Sequence, residues 1–522
     1  MRSSPPVSQR TAISPPPVDP RQVSLAGVML CVMIGPFVNI LDYNVVNVSL
    51  PKMMSGLATD VLTIRWVITA FLISTAVIMP AIGWLGRTLG NKNLYMLGLA
   101  VFTSASMLCS LASSVNVLIA LRVLQGLGAG VLMPMSFVLM MEVYPLEKRG
   151  MGTALWGLGA SLGSVLGLPL GGYFADAVNW RAVFWVNLLP GALGVFCTLV
   201  LVPPSRREQR VPFDGWGFCT LAVALVSLLV ALSQGQHEGW DSAFILTCYT
   251  MFGVALVLFL LREARADTPL VDLRLYTNVR YLGGTFLALA MGLLFNGSTF
   301  ITVLFAQLLL DFSVQNTALA LLPGSIAMVL TTPLVGWMAD RTDARLPMLL
   351  GLVVYTACCY LMLLADLRIG MLFIIWVYTL RGIGLGFLYP PVFSVSTNGF
   401  DPQRTRAASG LLNLCVTLGG AFSISLLTTL IERRQVFHAA RFAEEQVLTS
   451  VGTQHALTQF AHLARSSGLD GTSVSLYAHS SLQGMINREA LVHALNDGFS
   501  TILLVVLGCI GIVLLAIRTT RR

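Results

Sequence analysis

Long apolar runs separated by short polar stretches make up the chain from residue 24 to residue 518. A helix needs about 20 mostly apolar residues to cross the hydrocarbon core of a bilayer. Runs of that kind lie at 24–50, 62–85, 94–113, 116–142, 151–176, 181–203, 215–234, 242–262, 281–310, 316–339, 346–366, 370–397, 407–432 and 498–518. The pattern predicts an all-α membrane bundle of fourteen spans. The seventh run is the weakest, because Ser233 to Asp241 turns polar early, so twelve and thirteen are the alternative counts. The first run is too long for a signal-peptide core and reads as a retained span. Before it, residues 1–23 are polar and rich in Ser and Pro, the pattern of a disordered tail. A long polar segment, 433–497, precedes the last run and predicts a solvated amphipathic helical insert.

Composition agrees with lipid as the solvent. Of 522 residues, 56% are hydrophobic and only 11% charged, against about 25% charged in a soluble domain. The formal charge of +8 would raise nucleic acid as a partner in a soluble protein. Here the basic residues alternate with the apolar runs, so membrane orientation accounts for them and no nucleic-acid partner is expected. One set of loops, with both termini, holds twenty-one Lys and Arg; the short loops of the other set hold four, Lys52, Arg65, Arg181 and Arg368. Positive loops stay inside, so both termini are expected in the cytoplasm. The nine cysteines all fall in apolar runs and read as small buried hydrophobes. Five of six histidines lie in 433–497 at irregular spacing, so no metal site is expected.

A repeat divides the chain. Gly83 to Thr88 (GWLGRT) matches Gly336 to Arg341 (GWMADR); Leu121-Arg122 with Gly126, Gly128 and Gly130 matches Leu380-Arg381 with Gly382, Gly384 and Gly386; Met133-Pro134 matches Tyr389-Pro390. The offsets are 253, 259 and 256 residues. Two six-helix halves with two helices inserted between them is the plan of a secondary transporter with a midplane cavity.

An ionisable residue inside a span is costly and by default marks function. Asp42 is the one carboxylate placed clearly within a run; Asn39 shares its helix face, while Asn44 and Asn47 point elsewhere. Arg122 is its natural partner. Asp42 lies about 12 Å and Arg122 about 9 Å from the same end of their spans, at about 1.5 Å per residue. A proton site near a movable Arg and a structural ion pair are the two readings. Arg381 lies deeper, with no acid beside it in its half; an anionic ligand, a backbone carbonyl and a relic of the repeat are its alternatives. Asn39, Asn44, Gln125, Asn296, Gln307, Arg381 and Asn413 are the polar positions expected to line a cavity, with helix–helix bonding the alternative for Gln125, Asn296, Gln307 and Asn413. Gly159, Gly163, Gly167 and Gly171 recur every four residues, with Pro169 and Gly172 beside them. They predict close helix packing, or a flexible face between the halves that seals one side of the cavity. No phosphate-binding loop of the form GxxxxGK[ST] occurs. An ion gradient, without cofactor or ATP, is therefore the expected driver, and no catalytic domain is expected.

These residues resemble the major facilitator superfamily, and within it the fourteen-span drug:proton antiporters of the EmrB/QacA type, over residues 24–518. Leu41-Asp42 through Pro51 is similar to the first-span motif, with Tyr43-Asn44 in place of the usual pairing. Leu121-Arg122, Gln125-Gly126 and Gly128 match the motif tied to proton transfer, and Gly159 to Gly172 matches the antiporter motif. In the loop motif Gly83, Arg87 and Gly90 depart from the pattern, since Arg87 stands where Asp is usual; Gly336, Asp340 and Arg341 keep it. The resemblance implies a 24–203 half, an insert over 204–280, a 281–518 half and a cytoplasmic tail at 519–522. It implies export of small amphipathic organic molecules against proton entry at the bacterial inner membrane. It also implies, for Gram-negative relatives, a periplasmic adaptor and an outer-membrane channel. A metabolite or siderophore exporter, an uptake symporter and a non-transporting receptor or scaffold are the alternatives.

Overall fold

In lipid every backbone N–H and C=O must be paired within its own segment, so the apolar runs fold as helices. The computed structural model describes residues 25–145, 148–205, 212–266, 269–445 and 451–515. The tails at 1–23 and 519–522 and the basic residues Arg206, Arg207, Arg210 and Arg518 lie outside them. Among the described residues, 14 helical segments are long and apolar enough to cross a membrane.

The first half contains α1 (Leu25–Gly56), α2 (Val61–Ile78) running through a tight turn into α3 (Ile82–Leu89), α4 (Asn91–Ser110), α5 (Val115–Val143), α6 (Arg149–Tyr173) and α7 (Leu188–Leu201). The insert is α8 (Gly215–Glu238) and α9 (Ala243–Glu263). The second half contains α10 (Val279–Leu304), α11 (Val314–Arg341), α12 (Arg345–Leu363), α13 (Met371–Thr397), α14 (Pro402–Glu445), α15 (Val451–Ser466) and α16 (Thr472–Leu515). α8 runs further than the apolar pattern suggests, which brings His237 into its last turn.

Both halves pack in the same order. α1 lies against α6 as α10 lies against α14; α5 lies against α2 and α4 as α13 lies against α11 and α12. Tyr95 on α4 and Tyr355 on α12 each donate to a carbonyl on the first helix of their own half, Cys31 O and Leu294 O, both at 2.8 Å. α8 and α9 pair with each other, and α8 touches α2 of one half and α14 of the other. Thr69 meets Ser233 at 3.1 Å, and Trp240 Nε1 donates to Thr429 at 3.1 Å. The insert thus bridges the halves from outside, with much of α9 left for lipid.

The described parts of 433–497 are largely helical, as expected, but they are not a separate loop insert. α14 continues to Glu445 and α16 begins at Thr472, so two spanning helices extend beyond the apolar zone and carry α15 between them. His438 on α14 bonds Asp497 on α16 at 2.8 Å, with Arg434 at 3.3 Å from the same oxygen. These cross-links fasten the base of the extension. Helical backbone does not need apolar side chains, and hydropathy marked only where lipid begins.

Candidate functional site

Asp42 is 1% exposed and Arg122 fully buried. Asp42 Oδ2 accepts from Arg122 Nη1 at 2.6 Å, which joins α1 to α5. Oδ1 accepts from Gln125 Nε2 at 2.9 Å and from Asn187 Nδ2 at 2.7 Å. Gln125 Oε1 in turn accepts from Arg122 Nη1 at 2.7 Å. Asn187 also reaches Ser106 Oγ at 3.0 Å. Arg122 Nε donates to Val67 O at 3.1 Å, and its guanidinium lies 4.0 Å from the centre of the Phe71 ring. A lone carboxylate at this depth would cost several kcal/mol; hydrogen-bonded pairing offsets that. One nitrogen, Arg122 Nη2, has no partner among the described residues. Sequence reasoning missed Asn187 and Ser106. The available signal for Asn187 was a polar side chain within the 181–203 run.

Next to this network a cavity of about 160 Å³ opens between the halves. Asn39, Tyr43, Phe71 and Thr75 face it from the first half, and Phe295, Asn296, Tyr389 and Asn413 from the second. Phe71 is both a cavity wall and the platform under Arg122, so the ion pair lies one side chain behind the lining. Asn39 also donates to Ala129 O at 3.1 Å. The apolar walls with a few amides suit an amphipathic ligand.

Four expected lining residues stand elsewhere. Gln125 is engaged with Asp42. Asn44 donates to Ile40 O at 3.0 Å on its own helix. Gln307 lies in the wide turn Phe305–Leu309 beyond α10. Arg381 is not among the lining residues and donates to the carbonyl of Phe295, which is. The apolar runs showed which positions were polar but not their rotation about the helix axis.

The glycine row of α6 packs on α1 of its own half and not on the second half. A Cβ at Gly163 would lie 2.6 Å from Phe37 O, one at Gly167 2.6 Å from Asn44 Cβ, and one at Gly171 2.8 Å from Val45 Cα. Gly159 abuts Met33, while Gly172 faces open space and Pro169 lies within α6. Gly159, Gly163, Gly167 and Gly171 thus serve the close helix packing that was one of the two expectations, while α6 also meets α11 and α13 of the second half along its other faces.

The halves meet at the ends where the basic loops lie. Asp340 at the end of α11 accepts from the backbone N–H of Gly150 at 2.7 Å and of Met151 at 3.0 Å, capping α6 across the divide. A carboxylate at a helix N-terminus is favoured by the free N–H groups and the helix dipole. Burial, and then the Asp340 charge, push the hydroxyl of nearby Tyr144 above its ordinary value. Gly336 abuts Met151, Gly83 abuts Ala407, and Gly410 abuts Met79. Arg341 stacks on Trp337 at 4.5 Å. Gly90 turns the chain at φ +83°. Among the described residues Arg87 makes no such bridge. It faces a second cavity of about 520 Å³, shared with Asp214, Glu263 and Arg274 from the insert and its linker.

Duplicated halves, a cavity between them and a buried acid–base pair beside it define a secondary-transporter bundle. The chain belongs to the Major Facilitator Superfamily, whose sequence profile matches residues 32–424. It is 29% identical over 433 residues to the multidrug export protein EmrB of Escherichia coli K12, covering 81% of this chain and 84% of that protein. It is 29% identical over 491 residues to the fatty acid resistance protein FarB of Neisseria gonorrhoeae, covering 93% and 95%. The crystal structure of the human organic anion transporter MFSD10 superposes with a TM-score of 0.59 at 14% identity, covering 93% of this chain and all of that one, a likeness of fold alone.

Proposed function

We propose that this protein exports amphipathic organic compounds across the bacterial cytoplasmic membrane in exchange for protons. The observation that carries this reading is the Asp42–Arg122–Gln125–Asn187 network one side chain behind a two-half cavity. Both termini and the basic loops are assigned to the cytoplasm, and the Asp340 cap closes that side in the present conformation. A proton arriving from the opposite face neutralises Asp42 and dissolves its bond to Arg122. The released guanidinium, held under Phe71, then changes the charge that the cavity wall presents. Asp42 is the proton carrier and Arg122 its modulator; no bound cofactor takes part. The helical extension over 433–497 reaches beyond the bilayer on the far face. That placement supports contact with a periplasmic adaptor leading to an outer-membrane channel.

Proteoliposomes with an imposed pH gradient test the coupling. Substrate added to the wild type is expected to drive proton movement, and Asp42→Asn is expected to abolish it while leaving substrate binding. Coupling unchanged in Asp42→Asn sinks the assignment.

A further inference from the structure

The likeness between the halves extends to the charged centre. Arg381 on α13 lies 259 residues after Arg122, and Ser298 on α10 lies 256 residues after Asp42, both within the repeat offsets. The contact survives the repeat: Arg381 Nε donates to Ser298 Oγ at 2.6 Å, where Arg122 reaches Asp42 Oδ2 at 2.6 Å. The carboxylate does not survive. Arg381 Nη2 donates to Phe295 O and to Thr299 Oγ1, each at 2.6 Å. The guanidinium lies 4.4 Å from the Tyr378 ring centre and 5.2 Å from that of Phe295. Nη1 has no hydrogen-bond partner among the described residues, and no described carboxylate comes within ion-pair distance. Asp311 and Asp340, on the neighbouring α10–α11 stretch, are spent at helix ends, on Arg488 and on α6.

Arg381 is 4% exposed, in the middle of a span. Hydroxyl and carbonyl oxygens solvate a guanidinium but do not cancel its charge. Phe295 is shared between the two, contacting Arg381 and lining the cavity, and no carboxylate is among the side chains lining that cavity. Asp42 and Arg122 offset each other, which leaves Arg381 as a buried charge near the cavity with no described carboxylate beside it.

We propose that Arg381 is the subsite for the acidic head group of an amphipathic organic anion, a carboxylate or sulfonate on an apolar body. The ligand supplies the counter-charge that Asp42 supplies in the first half. Phe295 turns aside to admit it, and the apolar body lies along the cavity. The substrate class is thereby narrowed within the export reading, on which this inference rests.

The test uses the full chain in neutral-lipid nanodiscs with three probes of equal length: dodecanoate, dodecylammonium and methyl dodecanoate. Wild type is expected to bind dodecanoate most tightly. Arg381→Gln is expected to weaken dodecanoate roughly tenfold or more, as loss of a bond between charged groups does, and to leave the methyl ester unchanged. Arg381→Lys keeps part of the preference. Ser298→Asp places a carboxylate on Arg381 and is expected to expel dodecanoate, which guards against a misfolded Gln variant. Equal binding of dodecanoate and dodecylammonium by wild type overturns the proposal, as does an equal loss of acid and ester in Arg381→Gln. Transport separates the two readings. Proton-coupled export of cations with no Arg381-dependent preference leaves the export reading standing and removes this one. Arg381-dependent binding of dodecanoate without proton-coupled movement does the reverse.

Discussion

At the scale of single residues, the network around Asp42 makes a strong thermodynamic statement. Removing one partner of a buried ion pair strands the other. Arg122→Ala is therefore expected to destabilise the protein by about 3–5 kcal/mol, read as a lowered unfolding midpoint in detergent. Adding Asp42→Asn to Arg122→Ala should recover part of that loss, because the stranded charge is gone; a strictly additive double variant contradicts the pairing. Asn187→Ala removes one of two amide bonds to Oδ1 and should cost about 1.5–3 kcal/mol, the range for a hydrogen bond to a charged group. It should also move the pH at which transport is half-maximal, a readout that a purely structural asparagine leaves in place. The pairing of Asp42 with Arg122 followed from depth counted along two helices. Asn187 did not, since nothing in an apolar run says which helix its amide will face.

At the scale of elements, close approach decides the outcome. α1 and α6 touch through Gly163, where an added Cβ would lie 2.6 Å from Phe37 O. Gly163→Ala should cost about 1–3 kcal/mol through overpacking. Gly172→Ala, with nothing within 4 Å, should be tolerated. Thermal unfolding of the two variants side by side tests this. Equal effects would mean that α6 does not lie on α1 as described. The four-residue spacing of the glycines was plain in the sequence, and it promised a tight interface. It did not say with which helix, because small residues permit contact without choosing a partner.

At the scale of the whole molecule, the halves are latched at the basic face by a helix cap. Asp340→Asn weakens the charge-assisted bonds to Gly150 and Met151. A lost cap is worth about 0.5–2 kcal/mol, so the closed-to-open ratio should fall by roughly two- to thirtyfold. Pulsed dipolar distances between spin labels at Lys148 and Asp343 should then broaden toward longer values. An unaltered distribution argues against the latch. The extension carries a separate expectation. Deleting residues 446–471 should leave proton-coupled transport in proteoliposomes intact while reducing drug resistance in cells, where export continues past the inner membrane.

Much was already decided along the chain. Apolar run length set the number of spans, since lipid demands about 20 apolar residues for each crossing. Twenty-one basic residues against four set the expected orientation. Repeat offsets near 256 residues set the six-plus-two-plus-six plan. One mid-span carboxylate, Asp42, set where to look for proton chemistry. Tertiary structure decided the rest. It placed Asn187 on Asp42 and turned Asn44 and Gln307 away from the cavity. It set the glycine row against α1 and extended α14 and α16 past the apolar runs. Above all it brought Arg381 to Ser298, where the first half has a carboxylate. Each of these depends on helix rotation and on contacts between residues far apart in the chain. Hydropathy specifies how deep a residue lies, whereas packing specifies what it faces.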